Sequence, residues 1–183
     1  MFQTLGSGAS LVRACYRIRH DAAPAKILDV GSGSGSSLDM FRCSGYRPEH
    51  STGIDIQTER LLNALKLYQH VRFVHGDTTN MTFASGEFEI VFESTMFATL
   101  ADPGTRTRVA EGMLRVCKPG CFLILMDWRI RKPRSPQYGV LARRDVRQRF
   151  RLGLDTDLVT VDAARWCLLL AGRFRPGSAP YTS

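Results

Sequence analysis

An apolar run followed directly by alternating glycines occupies residues 26–35, with the sequence Lys26-Ile27-Leu28-Asp29-Val30-Gly31-Ser32-Gly33-Ser34-Gly35. Apolar residues in such a short run are typical of a strand buried on both faces. Glycine allows positive φ angles and lets the backbone approach a ligand without a Cβ in the way. Residues 36–41 then read as the first turns of a helix that ends at Gly45. This order of strand, glycine turn and helix predicts a nucleotide-like ligand over a helix N-terminus.

Other interpretations of the glycine run fit less well. A Gly/Ser-rich linker does not need a buried strand before it and a helix after it. In the dinucleotide fingerprint G-x-G-x-x-G the third glycine would fall at Ser36, one residue after Gly35, which disfavours a nicotinamide dehydrogenase. The Gly-Lys-Ser/Thr of a P-loop is absent. Instead, Asp29 lies two residues before the first glycine, which gives the pattern Asp-x-Gly-x-Gly-x-Gly.

Further segments extend this pattern along the chain. They are Thr52-Gly53-Ile54-Asp55-Ile56, Phe73-Val74-His75-Gly76-Asp77, Phe88-Glu89-Ile90-Val91-Phe92-Glu93-Ser94-Thr95 and Leu114-Arg115-Val116-Cys117-Lys118-Pro119-Gly120. With the glycine run, they resemble the successive motifs of a class I S-adenosylmethionine (SAM)-dependent methyltransferase, of the small bacterial methyltransferase-domain type. The resemblance covers residues 26–127.

Strands that alternate with helices at this spacing predict an α/β fold with a doubly wound, mostly parallel sheet. The resemblance implies the Rossmann-like class I methyltransferase fold, whose seventh strand is antiparallel. Only 56 residues follow Asp127, so a shortened C-terminal strand pair is expected. We expect residues 1–183 to form a single SAM-dependent methyltransferase domain. It would comprise an N-terminal helical segment (1–25), a cofactor-binding core (26–127) and a basic helix with a C-terminal strand region (128–183).

Hydrophobic spacing predicts several helices and strands outside the motifs. Helices are expected over residues 9–20, 58–68 and 138–150, and one from Asp102-Pro103 to about Cys117. In the second of these, the apolar spacing predicts burial of Leu61, Leu62, Leu65 and Tyr68. Residues 158–161 suit a strand, and residues 166–170 suit either a last strand or a short helix.

The resemblance also implies the cofactor, SAM, and its product S-adenosylhomocysteine. Asp29 would lie near the cofactor's amino group, Asp55 would bind the ribose hydroxyls, and Asp77 with the Thr78 backbone would contact the adenine. The full predicted cofactor-binding set is Asp29, Gly31, Ser32, Gly33, Gly35, Asp55, Ile56, Asp77, Thr78 and Glu93.

Methyl transfer to a hydroxyl needs a group that takes up the proton. The candidates are Glu93, Asp127 and His75, although His75 also fits an ordinary residue at a strand end. Motifs typical of amino-directed or cytosine-directed nucleic-acid methyltransferases are absent, as is any metal-ligating carboxylate cluster, so no metal is expected. The sequence therefore favours transfer to an O, N or C atom of a small-molecule acceptor. Two alternatives remain: an RNA methyltransferase, and a SAM-binding protein without catalysis.

The chain has a formal net charge of +8, and one segment accounts for it. Residues 129–151 hold nine Arg or Lys and one acid, Asp145. This segment fits either a nucleic-acid contact or a solvated helix face, and no aromatic residue stands between positions 139 and 149 for base stacking. Nucleic acid is therefore a possible partner that the sequence does not favour.

The remaining features of the composition bear on location and assembly. No apolar run approaches the ~18–20 residues of a membrane span, and no secretory leader is evident, so a cytoplasmic protein is expected. The five cysteines are expected to be reduced thiols. The oligomeric state is left open, a homodimer included.

Overall fold

The computed structural model describes residues 24–128, 139–150, 159–162 and 167–170. The strands are β1 (Ile27–Val30), β2 (Ser51–Asp55), β3 (Arg72–His75), β4 (Phe88–Ser94), β5 (Cys117–Met126), β6 (Val159–Asp162) and β7 (Cys167–Leu170). The helices are α1 (Ser36–Cys43), α2 (Thr58–Leu67), α3 (Met96–Thr99), α4 (Pro103–Val116) and α5 (Arg143–Arg149). A 3₁₀ turn covers Pro48–His50. The helix predicted over residues 9–20 lies outside the described residues.

The described strands form one sheet in the order β3-β2-β1-β4-β5-β7-β6. Strands β1 to β5 pair in parallel, β7 runs antiparallel to β5, and β6 runs antiparallel to β7. The predicted doubly wound, mostly parallel sheet is thereby confirmed. The C-terminal pair is short, with four residues in each strand, and residues 167–170 form a strand rather than a helix.

Strand β1 is the point where the strand order reverses, because it pairs with β2 on one side and with β4 on the other. It is buried on both faces: Leu28 and Val30 belong to one apolar cluster and Ile27 to the other. The first cluster includes the buried face of α4, and the second includes Leu38 and Phe41 of α1. In such sheets a ligand crevice opens beyond the carboxyl ends of the strands at the reversal point.

Helix α2 buries fewer leucines than its sequence predicts. Leu61 and Ala64 are buried, whereas Leu62 and Leu65 are 53% and 46% exposed, so their predicted burial is wrong. The helix packs against β2 and β3, and β3 is the edge strand of the sheet. Because the sheet ends at β3, it covers only one side of α2. That side carries Leu61, and the side with Leu62 and Leu65 remains exposed.

Helix α5 attaches the basic segment to the core. Leu141, Val146 and Phe150 are all buried, and the Phe150 ring meets the Phe97 ring edge to face with 5.8 Å between centroids. The predicted helix over residues 138–150 is shorter in the structure, since α5 begins only at Arg143. The buried residues fix one side of this segment, and the guanidinium of Arg149 donates to the Pro103 carbonyl oxygen and to Thr107 Oγ1 on α4.

Two of the cysteines depart from the expectation of reduced thiols. Cys117 and Cys121 are joined by a disulfide across the Lys118-Pro119-Gly120 turn. Their Cα atoms are 5.7 Å apart, within the range that a disulfide spans. Gly120 in this segment has a φ of 84°, and the pairing of β5 with β4 shifts its register here. Cys43 is a free and exposed thiol.

Candidate functional site

The glycine loop between β1 and α1 has the conformation that its sequence predicts. Gly31, Gly33 and Gly35 have φ angles of 75°, 54° and 81°, a region that other residues enter at a cost. The Gly31 and Ser32 amides donate to the Ile54 carbonyl oxygen at 2.8 and 3.0 Å. Gly35 is the N-cap of α1. The loop is therefore fixed to the end of β2, with α1 beginning directly after it.

Asp55 ends β2 and holds the glycine loop from the other side. Its Oδ2 accepts a hydrogen bond from the Gly33 amide at 2.8 Å, and its Oδ1 accepts one from the Gln57 amide at 2.8 Å. The carboxylate is nearly buried, while the next side chain, Ile56, is 63% exposed. The structure thus brings the two strongest sequence signals, the glycine run and Asp55, into direct contact.

A cleft of about 240 Å³ opens beside this contact. One side, here called the loop wall, contains Gly31, Thr78 and four residues at the end of β2 and the start of α2: Asp55, Ile56, Gln57 and Arg60. The other lining residues, here called the post-β4 wall, follow β4 along the chain and are Ser94, Thr95, Met96, Thr99 and Leu100. The cleft lies at the carboxyl ends of the strands, where the reversed strand order predicts a ligand site.

Two flexible side chains lie against the glycines of the loop. A Cβ added to Gly31 would come within 3.1 Å of Met96 Sδ, and one added to Gly33 would come within 3.2 Å of the Arg60 guanidinium carbon. The loop therefore has side chains packed directly on its bare backbone. Because Met and Arg have several rotatable bonds, both side chains can move without a change in the backbone.

Two buried carboxylates hold the post-β4 wall. Glu93 Oε2 accepts a hydrogen bond from the Met96 amide at 3.1 Å, and Asp127 Oδ2 accepts one from the Ala98 amide at 2.7 Å. Asp127 Oδ1 accepts a further hydrogen bond from the Trp128 amide at 2.6 Å. These acceptors satisfy amides of the one-turn helix α3, which has no earlier turn to satisfy them. The wall also contains Thr95, a non-glycine residue with a φ of 60°.

The acids of the site are strongly affected by burial. Asp29, Glu93 and Asp127 are each at most 1% exposed. Burial, and then the nearby Asp55 carboxylate, raises the pKa of Asp29 to about 8. Burial raises the pKa of Asp127 to about 6 against the opposing effect of its two backbone hydrogen bonds and of Arg106. Burial and the Asp127 carboxylate raise the pKa of Glu93 well above its ordinary value.

Of the three predicted catalytic residues, the structure brings two together. Glu93 ends up beside Asp127 because β4 and β5 are neighbours. His75 lies at the end of β3, where its Nε2–H donates to the Ile56 carbonyl oxygen at 3.0 Å. Strands β2 and β1 stand between β3 and β4, a separation of roughly 14 Å at about 4.8 Å per strand. His75 is therefore not gathered with Glu93 and Asp127.

The predicted adenine-contacting residues follow β3. Asp77 is exposed, and its Oδ1 accepts a hydrogen bond from the Thr79 amide at 2.8 Å, which holds the pKa of Asp77 below its usual value. Thr78 lines the cleft, whereas Asp77 is not among its lining residues. Thr78 therefore lies at the cleft, Asp77 lies next to it in an exposed turn, and their contact with the adenine stays a prediction.

Sequence reasoning missed several cleft residues. Arg60 could have been predicted from the sequence, because it lies only five residues after Asp55. That spacing puts it in the first turn of α2, next to the carboxyl end of β2. Met96 and Thr95 had none, because the one-turn helix α3 is too short to give a periodic pattern. The described residues contain no cluster of His, Cys, Asp and Glu that could hold a metal ion. Within that part of the chain, no helix is long and apolar enough to cross a membrane.

Comparison with known proteins gives a family match across the core of the chain. A family model described as a methyltransferase domain matches residues 27–120, from the start of β1 to the turn within β5. The match therefore includes the glycine loop, Asp55 and Glu93. It ends before Asp127 and before the basic segment.

Curated relatives and solved structures agree with this match. The chain is 30% identical over 113 residues to 2-methyl-6-phytyl-1,4-hydroquinone methyltransferase from Synechocystis. These 113 residues cover 60% of this chain and 34% of that protein. It is 30% identical over 103 residues to demethylmenaquinone methyltransferase from Paenarthrobacter aurescens, 56% of this chain and 38% of that protein. The chain thus spans little more than a third of either relative. The crystal structure of a SAM-dependent methyltransferase from Aquifex aeolicus superposes with a TM-score of 0.68 at 20% identity, covering 89% of this chain and 91% of that one, which shows the shared fold.

Proposed function

The chain belongs to the methyltransferase domain family, and on that premise we propose that it transfers a methyl group from SAM to an O, N or C atom of a small-molecule acceptor. The observation that carries the proposal is the hydrogen bond between the Gly33 amide and Asp55 Oδ2. It joins a glycine loop with three positive φ angles to a carboxylate at the end of the next strand, beside a cleft. That arrangement suits a nucleoside with an amino-acid tail.

The residues present fit SAM as the cofactor. Buried polar atoms without hydrogen-bond partners remain at Asp29, Ser32 and Glu93, and such atoms are rare unless a ligand or water completes them. The exposed side chain of Ile56 offers an apolar surface beside the ribose-binding position predicted for Asp55. In this proposal Asp29 faces the amino group, and Gly31, Ser32, Gly33 and Gly35 give backbone close to the methionine part. Asp77 and Thr78 contact the adenine.

Bound SAM would supply an activated methyl group on a sulfonium, so the chain's main task is to hold the acceptor atom in line with it. Any proton lost by the acceptor needs a base. Asp127 uses both carboxylate oxygens as acceptors for backbone amides, whereas Glu93 keeps Oε1 without a partner. For acceptors that need a base we propose Glu93, which is buried behind the lining residues and, because burial raises its pKa, must lose its own proton before it can accept one. Asp127 then positions the post-β4 wall.

The acceptor class draws support from the two curated relatives, whose names specify a hydroquinone and a demethylmenaquinone. Because only about a third of each relative is matched, quinol rings are the first compounds to assay rather than an assigned substrate. The post-β4 wall offers Met96, Thr99 and Leu100 to the cleft, a mixed surface with few charges that suits an aromatic ring.

One experiment tests the proposal and its rivals. Binding of SAM, S-adenosylhomocysteine, NAD and NADP to the full chain would be measured by thermal shift, followed by methylation assays with labelled SAM on quinols and on cell extract with and without ribonuclease. We expect stabilisation by SAM and S-adenosylhomocysteine alone, and label in a ribonuclease-resistant small molecule. Label that disappears with ribonuclease would favour the RNA methyltransferase. SAM binding without label in any fraction would favour a non-catalytic SAM-binding protein.

The RNA alternative depends on the basic segment, part of which the structure describes. Arg149 is engaged with α4, while the side chain of Arg144 is 90% exposed. Val146 and Phe150 are buried while Arg144 is exposed, so α5 has one side on the core and one side in solvent. That is the usual arrangement of a surface helix, and it supports the solvated-face interpretation.

A further inference from the structure

Asp29 is a carboxyl group that the fold buries without any partner. It is 1% exposed, and neither Oδ1 nor Oδ2 has a hydrogen-bond partner. The nearby Ser32 Oγ is also buried and without a partner. Leaving such groups unsatisfied costs roughly 1–3 kcal/mol each, and more for a charge. A buried carboxyl group without hydrogen-bond partners, placed just before the glycine loop, is suited to bind a ligand that has hydrogen-bond donors and a positive charge.

Among the described residues, the groups that interact electrostatically with Asp29 are carboxyl groups, while the Arg60 guanidinium packs on Gly33 of the same loop. Asp55, at the end of the neighbouring strand β2, acts on it from one side, and Glu93, one register position beyond the residue that pairs with Asp29, lies on the other, on β4. Arg106 on α4 acts on Asp127. Among the described residues, no Lys or Arg forms an ion pair with Asp29 or with Glu93. Within the described part of the chain, Asp29 therefore has no cationic partner.

We propose that cofactor binding expels a proton from Asp29, so that the cleft selects ligands by their positive charge and binds them more tightly as the pH rises. The inference rests on the proposed function, which supplies the cation: the α-ammonium of the SAM methionine part. Only a proton moves. The O–H bond of the Asp29 carboxyl group breaks, the proton leaves for the solvent, and the carboxylate faces the ammonium.

The direction of the effect follows from the two states of the site. In the empty cleft Asp29 is protonated at neutral pH, because burial and Asp55 both disfavour its charged form. An ammonium within hydrogen-bond distance favours the carboxylate and lowers the pKa of Asp29. Binding near pH 7 therefore releases up to about one proton per ligand, and affinity rises by up to about tenfold per pH unit until Asp29 is ionised in the empty protein, near pH 8.

The test is titration calorimetry of the full chain with S-adenosylhomocysteine at pH 7, in phosphate and in Tris, whose different heats of ionisation reveal the protons released. We expect release of nearly one proton by the wild type and a fall of at least half in Asp29→Asn. Asp39→Asn, a surface acid paired with Arg42, is the matched control and should behave as the wild type. 5′-Methylthioadenosine has the adenosine but no ammonium, and should bind without releasing a proton.

The outcomes separate this inference from the proposed function. Failure of the wild type to bind SAM or S-adenosylhomocysteine would overturn both. Binding without proton release, equal release by Asp29→Asn, or equal release by methylthioadenosine would overturn the proton coupling alone. The pH dependence of wild-type affinity between pH 6 and 8 is an independent measurement that needs no variant, and a flat profile would also overturn the coupling.

Discussion

The two walls of the cleft are built in different ways. The loop wall depends on the glycine loop, whose three glycines have positive φ angles and which is held against β2 by the Ile54 carbonyl and Asp55; of the three, Gly31 lines the cleft. The post-β4 wall depends on buried carboxylates, since Glu93 and Asp127 accept hydrogen bonds from the Met96 and Ala98 amides. A substitution in the loop wall should therefore affect ligand binding first. A substitution of Glu93 or Asp127, behind the post-β4 wall, should affect the stability of the protein first.

The largest effect is expected for Gly33→Val. A branched side chain at a φ of 54° is strained by roughly 1–2 kcal/mol, and it would occupy the space over the loop that a ligand needs. We expect no detectable SAM binding by calorimetry, with a modest loss of stability. Gly45→Val is the matched control, because Gly45 also has a positive φ, of 95°, and its added Cβ would have no neighbour within 4 Å. Normal SAM binding by Gly33→Val would mean that the run is not the cofactor loop.

The next effect is expected for Asp55→Ala. It removes both predicted ribose hydrogen bonds, at a cost of ~2–4 kcal/mol after partial recovery by water, and it also leaves the Gly33 and Gln57 amides without their acceptor, so the loop loses its anchor on β2. SAM affinity should therefore fall by about one to three orders of magnitude. The dissociation constant is the measurement. Asp102→Ala is the control, because Asp102 also accepts a backbone hydrogen bond, from the Thr105 amide, but caps α4 outside the cleft. An unchanged dissociation constant in folded Asp55→Ala protein would contradict the ribose assignment.

On the other wall, Asp127→Ala should reduce the free energy of unfolding by roughly 2–4 kcal/mol, because two amides lose their acceptor. Urea unfolding at several pH values is the measurement. The pKa of Asp127 rises from 3.8 to about 6 on folding, so the stability that Asp127 gives is full below about pH 4 and is lost as the pH rises through 6. The deficit of the variant should therefore shrink between pH 4 and 7. A stability deficit of Asp127→Ala that grows with pH would contradict the assigned role. The free energy of unfolding of Asp127→Asn should lie between those of the wild type and Asp127→Ala.

The smallest effect is expected far from both walls. Replacing Arg143, Arg144 and Arg147 with Gln should leave SAM binding and small-molecule methylation unchanged if α5 presents a solvated face. If the segment binds RNA, the triple variant should bind RNA more weakly, and each lost phosphate contact should reduce the salt slope by roughly 0.7–0.9. Salt-dependent RNA binding by the wild type that disappears in the variant would reverse the choice of acceptor.

The loop wall could be predicted from sequence because its determinants are local. Gly31, Gly33 and Gly35 specify a conformation that few other residues adopt, and Asp55 falls at a fixed distance along the chain from them. The sheet order was also predictable, since the alternation of strands and helices leaves few topologies. The predicted adenine contacts stay a prediction: Thr78 lines the cleft, whereas Asp77 lies in an exposed turn and is not among the lining residues.

The post-β4 wall could not be predicted to the same degree. The hydrogen bond from the Ala98 amide to Asp127 joins residues 29 positions apart, and only the neighbouring positions of β4 and β5 create it. The packing of Met96 on Gly31 depends in the same way on the pairing of β1 with β4. For α2, Leu62 and Leu65 have the spacing of a buried face, and only the position of β3 at the sheet edge decides that they remain exposed.

The contact between Phe97 and Phe150 bears on the order in which the cleft can form during synthesis. The loop wall needs the chain only as far as Thr78 for its lining, and its hydrogen bond between Gly33 and Asp55 spans 22 positions. The post-β4 wall needs Asp127, the Gly139 amide that donates to the Ala98 carbonyl oxygen, and the ring of Phe150. During synthesis the cleft can therefore be complete only once the ribosome has made the chain through Phe150, 72 residues after the last residue that the loop wall supplies to the lining.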